Sequence, residues 1–356
     1  MKRDPVCHKE VKEKEAITAE CDGVIFYFCS EGCKDSFLEK RSCARNDYEL
    51  IIIGGGPAGL TAGVYAATLK MDSLLVAKDL GGQAVDSTKI ENYMGFDFVT
   101  GPELIEKFKE QLFCSHYIDH LLSEVEKIEP QEGGFKITTS EMATYTAKAL
   151  IIATGMTRRR LGVPGEEKFL RKGIFYGAIQ GLSFVEGEGA VVIGGGNSAF
   201  QVVENLHTIA SNIYLISHSE PTADPAVVER VLCLANLKTY IGYKVLEFTG
   251  DQTLNGVTIK KIGDVETLAL PAKGAFVAVG LVPNSSVAAP LVKLNERREI
   301  LINRDCSTSC PGIFAAGDVT DTFGKRIIIA AGEGAKAALA ARQYLLNLQK
   351  VVCPPT

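Results

Sequence analysis

Residues 48–59 read YELIIIGGGPAG, a short apolar run flowing directly into three consecutive glycines. Apart from Glu49, the run has the length and apolar character of a buried parallel strand. Gly54, Gly56 and Gly59 then stand in GxGxxG spacing. Gly54 permits the tight turn, Gly56 lets backbone N–H groups approach a pyrophosphate, and Gly59 allows close helix–strand packing. Pro57 suits the first helical turn, where its missing N–H costs nothing, and Ala58 completes the motif. The helix offers its positive end to the phosphates. This stretch predicts a dinucleotide-binding strand–turn–helix unit.

Strand and helix signals alternate after it, which marks a parallel sheet with crossover helices. A second unit follows at 191–200, VVIGGGNSAF, where Gly194, Gly196 and Ala199 give GxGxxA and Asn197 and Ser198 open the helix. Residues 245–280 read as strands with turns at Asn255-Gly256 and Gly263-Asp264. The chain returns through GIFAAGD to an Ala-rich helix over 328–346. The fold class is α/β, with two Rossmann-like nucleotide-binding domains of the three-layer ββα type, preceded by a small cysteine-rich module.

Further motifs resemble the low-molecular-weight thioredoxin reductases. Residues 81–96, GGQAVDSTKIENYMGF, match a segment that lies beside that family's flavin, with Gly81, Gly82, Gln83 and Asn92 in place. Met94 stands where the family usually has proline. Residues 151–166, IIATGMTRRRLGVPGE, with Thr154 and Gly155, are similar to the hinge between its domains. GIFAAGDVTD at 312–321 resembles its second FAD motif, in which Gly317 and Asp318 would meet the ribityl or phosphate region. Gly332-Glu333-Gly334-Ala335 matches the segment under the flavin ring. The resemblance covers about 47–348. It implies FAD in a discontinuous domain over 47–157 and 283–348, a pyridine-nucleotide domain over 158–282, a tail over 349–356, and a homodimer.

Two departures from that family decide the expected chemistry. The family selects NADPH with an HRR triplet after the second domain's next strand, and here the triplet is His218-Ser219-Glu220. An acidic side chain at this edge accepts hydrogen bonds from a ribose diol and repels a 2′-phosphate. NADH, or no nicotinamide at all, is expected over NADPH, with a ferredoxin as the alternative donor. The family also carries CATCDG before the second cradle. Residues 177–182 here are GAIQGL, so Gly177 and Gln180 replace the two cysteines and Gly181 replaces the aspartate. The disulfide relay to thioredoxin cannot run through these residues.

The remaining cysteines give no obvious substitute. Cys306 and Cys310 lie in DCSTSCPG and read as structural, because a free cysteine is commonly a small buried hydrophobe. Cys114 and Cys233 fall in helical patterns and read as core, and Cys353 lies in the tail. The front of the chain differs. DPVC, then FCSEGC, gives C-x21-C-x3-C through Cys7, Cys29 and Cys33. This resembles the YHS/TRASH metal-binding modules. Asp22-Gly23 reads as a hairpin turn, and Phe26, Tyr27 and Phe28 as a tiny core, over a module of residues 1–45. So small a fold needs a staple, and one thiolate-bound metal would supply it, with zinc, copper, mercury and iron all suited. Cys21 is the candidate fourth ligand, ahead of His8.

Composition limits the remaining classes. Of the 356 residues 46% are hydrophobic and 23% charged, with a formal net charge of -5, which excludes an electrostatic nucleic-acid or anionic-membrane binder. The start carries basic residues with no apolar run behind them, unlike a signal peptide, and no stretch has the ~20 apolar residues of a membrane span. A cytoplasmic enzyme is expected. It would move electrons through FAD from NADH or another low-potential donor to an unidentified acceptor other than thioredoxin, in a metal-linked process. The alternatives are a metal-binding redox sensor or metallochaperone with structural FAD, and a ferredoxin-linked flavoprotein that reduces a disulfide through other cysteines.

Overall fold

The computed structural model describes residues 2–7, 9–21, 24–42, 45–87, 89–113, 115, 117–176 and 181–352. The expectations for His8, Asp22-Gly23, Cys114, Gly177, Gln180 and Cys353 therefore lie outside the described residues. The described helices are α1 (Glu31–Ser42), α2 (Pro57–Thr68), α3 (Gly101–Leu112), α4 (Asn197–Leu206), α5 (Pro225–Leu232) and α6 (Ile327–Val352). Among the described residues no helix is long and apolar enough to cross a membrane. Contacts divide the chain into one unit of Met1–Met156 with Pro283–Thr356, and a second of Thr157–Val282.

In the first unit a seven-stranded sheet is centred on Asp47–Ile53, which pairs in parallel with Ser73–Ala77 on one side and Thr144–Ile152 on the other. Ile118–Leu122 extends the parallel part, and Ile313–Ala315 joins the end of Thr144–Ile152. Gly134–Thr139 and Val125–Gln131 continue it antiparallel. Side chains alternate across the central strand. Leu50 and Ile52 pack with α2, α3 and α6, whereas Ile51 and Ile53 pack with Ile128, Ile137, Val292 and Ile300. Both faces are covered from Leu50 to Ile53, which is why that stretch reads as continuously apolar.

The cysteine module belongs to this first unit. Ile17–Cys21 pairs antiparallel with Val24–Phe28, and Lys2–Arg3 pairs with Glu10–Val11. Phe26, Phe28 and Phe37 of α1 form its core. Tyr27 does not join them: strand alternation turns it to the other face, where the Lys2 ammonium sits 5.8 Å from its ring centre. Three buried phenylalanines contribute roughly 1.5–3 kcal/mol each, little for ordering some 40 residues. Phe113, the residue after α3, completes the core with its ring centre 5.6 Å from that of Phe26.

The second unit carries a five-stranded parallel sheet in the order Ile174–Phe175, Gly274–Val277, Gly189–Ile193, Asn212–Ser217, Leu237–Ile241. Ala190 and Val192 face α4 and α5, and Val191 and Ile193 face an antiparallel sheet of Tyr243–Gly250, Leu254–Lys261 and Thr267–Pro271. The expected turn at Asn255-Gly256 is not there. Gly250 pairs with Leu254, so residues 251–253 make the turn and Gly256 lies inside a strand. A Cβ on Gly256 would stand 3.1 Å from Thr249 Oγ1, so glycine serves close strand approach there. Gly263 does lie in the following turn, at φ +86°. The last helix runs through Val352, beyond the predicted end at 346 and into the predicted tail.

Candidate functional site

The first cradle is built by Gly54, which adopts φ +118° and would put a Cβ 2.2 Å from Ala153 O. A Cβ on Gly59 would lie 1.8 Å from Gly54 O, so α2 seats directly on the turn. Gly56 is different: nothing lies within 4 Å of its would-be Cβ. It is the N-cap of α2, yet no side chain caps this helix and its first turn holds no acid. By contrast Thr100 and Glu103 form a capping box on α3, and Asp224 accepts from Ala226 N on α5. Orphan N–H groups at a helix start need an acceptor, and a bound phosphate is one.

Except for Asn92, the other predicted residues described next lie around this turn and helix start. A Cβ on Gly82 would lie 3.3 Å from Gly56 Cα, and Gly82 N donates to Asp79 Oδ1 at 2.9 Å. Gln83 Nε2 donates to Met156 O at 2.6 Å. Thr154 Oγ1 donates to Asn284 O, and Asn284 Nδ2 returns a bond to Thr154 O. Gly317 lies against Ala58, and a Cβ on Gly334 would stand 2.0 Å from Ala58 O. Asn92 is exposed, and no described hydrogen bond ties it to the cradle.

Asp318, half-buried after Gly317, accepts no hydrogen bond from the described residues, and burial pushes its carboxyl up. Glu333, which sequence reasoning left without a role, is buried and holds this loop. Its Oε2 accepts from Gly317 N at 2.8 Å and from Thr320 Oγ1, and Thr322 Oγ1 donates to Oε1. Open space at Gly56, uncapped α2 N–H groups and a carboxylate with its acceptor positions open beside them fit the pyrophosphate and polyol of FAD.

The second cradle repeats the first. Gly194 takes φ +142° with a would-be Cβ 2.3 Å from Ala278 O, and buried Ala199 packs beneath it. Gly196 N-caps α4 without a side-chain cap and opens onto space, its nearest neighbour being Thr222 Oγ1 at 3.9 Å. Asn197 Oδ1 accepts from Asp224 N, joining α4 to the start of α5. Gly194, Gly196, Asn197 and Thr222 line a cleft of about 760 Å³ that also takes in Ser198, His218, Ser219, Glu220 and Tyr243. Ser217 Oγ donates to Ser219 O at 2.6 Å and fixes this loop. The exposed Glu220 thus stands in the cleft that the uncapped helix faces.

In the cysteine module, Cys7 Sγ lies 3.5 Å from Cys29 Sγ, which is 3.8 Å from Cys33 Sγ. A carboxylate oxygen of buried Asp4 joins them, all four donor atoms lying within 4.8 Å of one another. The register pairs Ile17 with Phe28 and Cys21 with Val24. The Cys21 backbone therefore sits at the far end of the hairpin, about 13 Å along the strands from Phe28. That placement does not support Cys21 as the fourth ligand; its side chain lies outside the described residues. The Asp4 carboxylate and the Cys7 thiol push the Cys29 thiol up to about 12, so a metal would have to displace its proton. Spacing of the cysteines was the sequence signal, and Asp4 sat unread in the same DPVC motif.

Among the other cysteines, Cys306 is buried, its Sγ donating to Glu333 O at 3.7 Å, and burial pushes it up to about 12. Burial also raises Cys310. Both are free thiols of low reactivity. Cys233, read as core, is exposed at the C-cap of α5, because the helix ends there and turns the side chain out.

Residues 48–342 match the family described as pyridine nucleotide-disulphide oxidoreductase, and residues 3–41 match the YHS domain. An alkyl hydroperoxide reductase component from Staphylococcus epidermidis is 36% identical over 305 residues, which cover 85% of this chain and 60% of that protein. Its counterpart from Staphylococcus aureus is also 36% identical over 305 residues. The chain spans about 60% of the length of these curated relatives. Thioredoxin reductase of Lactococcus lactis superimposes with a TM-score of 0.69 at 31% identity, over 84% of this chain and 99% of that one. That of T. acidophilum gives 0.67 at 33%, over 85% and 100%. The family implies FAD and NAD(P) binding, which the two uncapped cradles fit. From cradles, motif order and matches alike, the chain belongs to the pyridine nucleotide-disulphide oxidoreductase family and carries a YHS domain at its N-terminus.

Proposed function

We propose that this chain is an FAD-dependent oxidoreductase that takes electrons from NADH and delivers them to an acceptor other than thioredoxin. The observation that carries the reading is GAIQGL at 177–182, where the resemblance calls for CATCDG. Glycine and glutamine cannot form or break a disulfide, and Gly181 has no acid to protonate a departing thiolate. FAD bound by residues 47–157 and 283–348 supplies two-electron exchange. The chain's own groups bind and orient. The α2 N–H groups at Gly56 meet the pyrophosphate, Asp318 accepts from the polyol, and Glu333 keeps the Gly317–Asp318 peptide in place. In 158–282 the α4 start receives the dinucleotide phosphates, and Glu220 accepts from the adenosine ribose diol. Cys7, Cys29 and Cys33 are the thiolate set for one soft or borderline metal ion, which links the acceptor or its regulation to metal.

Anaerobic titration with NADH, NADPH and reduced ferredoxin, followed by flavin absorbance, tests the donor. NADH should bleach the flavin fastest. A small quinone should then reoxidise it, while a thioredoxin should not be reduced at a measurable rate. Robust thioredoxin turnover would overturn the reading, and its loss in Cys306→Ser or Cys310→Ser would place the electrons on those sulfurs.

A further inference from the structure

We infer that Asp4 is a positioning residue that holds Cys7 and Cys29 in register for metal capture. This rests on the reading of the three thiols as a metal site. Asp4 is fully buried, and its carboxylate is already committed. Oδ1 accepts from Val6 N at 2.8 Å and Cys7 N at 3.2 Å, and Oδ2 accepts from Cys29 N at 2.7 Å. One side chain thereby clamps two segments 25 positions apart, the first loop and the residue after Val24–Phe28, and each segment presents a cysteine.

The hydrogen bonds define the clamp. A carboxylate offers about four acceptor positions; three hold these backbone N–H groups, and the Cys29 thiol hydrogen-bonds to the same carboxylate. Removing the carboxylate would leave these N–H groups without their acceptor in a buried place, at a cost of about 1–3 kcal/mol each. The clamp already spaces the sulfurs for a metal. A tetrahedral site with metal–sulfur bonds of about 2.3 Å has sulfur–sulfur edges of about 3.8 Å. The observed separations of 3.5 and 3.8 Å are already close to that. A backbone clamp on Cys7 and Cys29 is what sets them. Ser30 Oγ performs the lesser version of the task for the third cysteine, accepting from Cys33 N at 3.3 Å. Losing an outer partner of this kind typically weakens metal binding about 10- to 100-fold.

The test uses the full flavin-loaded chain and Co(II) as probe. Wild type should bind one Co(II) with a thiolate charge-transfer band that falls stepwise in Cys7→Ser, Cys29→Ser and Cys33→Ser and is unchanged in Cys21→Ser. Asp4→Asn puts a donor where an acceptor is needed. It should weaken Co(II) affinity about 10- to 100-fold while leaving the band shape at saturation unaltered. Hydrogen exchange on wild type gives a readout independent of how the variant folds. The amides of Val6, Cys7 and Cys29 should stay protected, or gain protection, on metal loading. Loss of their protection on loading, or a changed ligand-field spectrum in Asp4→Asn, would identify Asp4 as a ligand and overturn the inference. So would an Asn variant with wild-type affinity. No metal uptake by wild type would overturn the underlying metal reading as well, and would leave the cysteine variants indistinguishable from wild type.

Discussion

Replacing Ser219 and Glu220 together by arginine should reverse the nicotinamide preference. Both residues follow the strand Asn212–Ser217 and line the cleft that the uncapped start of α4 faces. The loop is held by the Ser217 hydroxyl on Ser219 O, a backbone contact that the substitutions leave intact. In wild type the Glu220 carboxylate repels a 2′-phosphate and accepts from a free diol. In the variant two guanidiniums face that position. Charge-assisted hydrogen bonds contribute up to ~3 kcal/mol when buried, but these side chains are exposed, so about 1 kcal/mol per arginine is the sounder figure. Relief of the carboxylate repulsion adds roughly another 1 kcal/mol. The sum, about 3 kcal/mol, corresponds to a change of about 100-fold in relative affinity. Anaerobic stopped-flow reduction of the flavin by NADH and NADPH measures the ratio directly. Because the new contacts are exposed ion pairs, the gain should shrink as salt rises. A wild type that prefers NADPH by tenfold, or a double variant whose ratio does not move, would refute the assignment of this loop.

The two glycines of the first cradle should respond differently to alanine. Gly56 has an ordinary φ of -74° and open space around it, so Gly56→Ala should keep the melting temperature of the apoprotein yet lose at least tenfold in FAD affinity, whereas Gly59→Ala, with backbone 1.8 Å from its new methyl, should destabilise the fold itself. Equal losses of apoprotein stability in both would show that Gly56 faces structure rather than ligand. Phe113→Ala should loosen the cysteine module without touching the flavin, because the ring packs on Phe26 and, at 4.8 Å between ring centres, on His120. Faster proteolysis within the first 46 residues at constant flavin content is the expected result, and unchanged cleavage would mean that the module core is self-sufficient.

The parts of the fold that were legible are those whose physics is local. Gly54 and Gly194 are glycines because positive φ and backbone contact near 2 Å admit nothing else, and each sits at the end of a continuously apolar stretch of strand. The misreadings came where partners distant in sequence decide. Asn255-Gly256 has the composition of a hairpin turn, but the bulge between Thr249 and Gly250 shifts the register and moves the turn to 251–253. Cys233 continues an apolar helical pattern, but α5 ends one residue earlier. Tyr27 sits between two core phenylalanines in a strand, and alternation alone sends it outward. Glu333 looked like one polar residue in a glycine-rich run. Only the return of Ile313–Ala315 to the sheet brings Gly317 to its carboxylate.

The cysteine cluster shows the same division within one site. Cys29 and Cys33 are four residues apart, and a strand end followed by the first turn of α1 brings their sulfurs together by local geometry. Their spacing could be read directly. Cys7 reaches them only because the carboxylate of Asp4 bridges N–H groups on both sides of the gap. Counting sulfurs therefore pointed to Cys21 as a fourth member, whereas antiparallel pairing carries the Cys21 backbone to the opposite end of the hairpin. A buried carboxylate was harder to find, since an aspartate before proline reads as a turn residue. What identifies its role is the set of donors it holds. With three backbone donors on Asp4, two of them the N–H groups of Cys7 and Cys29, the aspartate's part is to keep two of the three sulfurs in place.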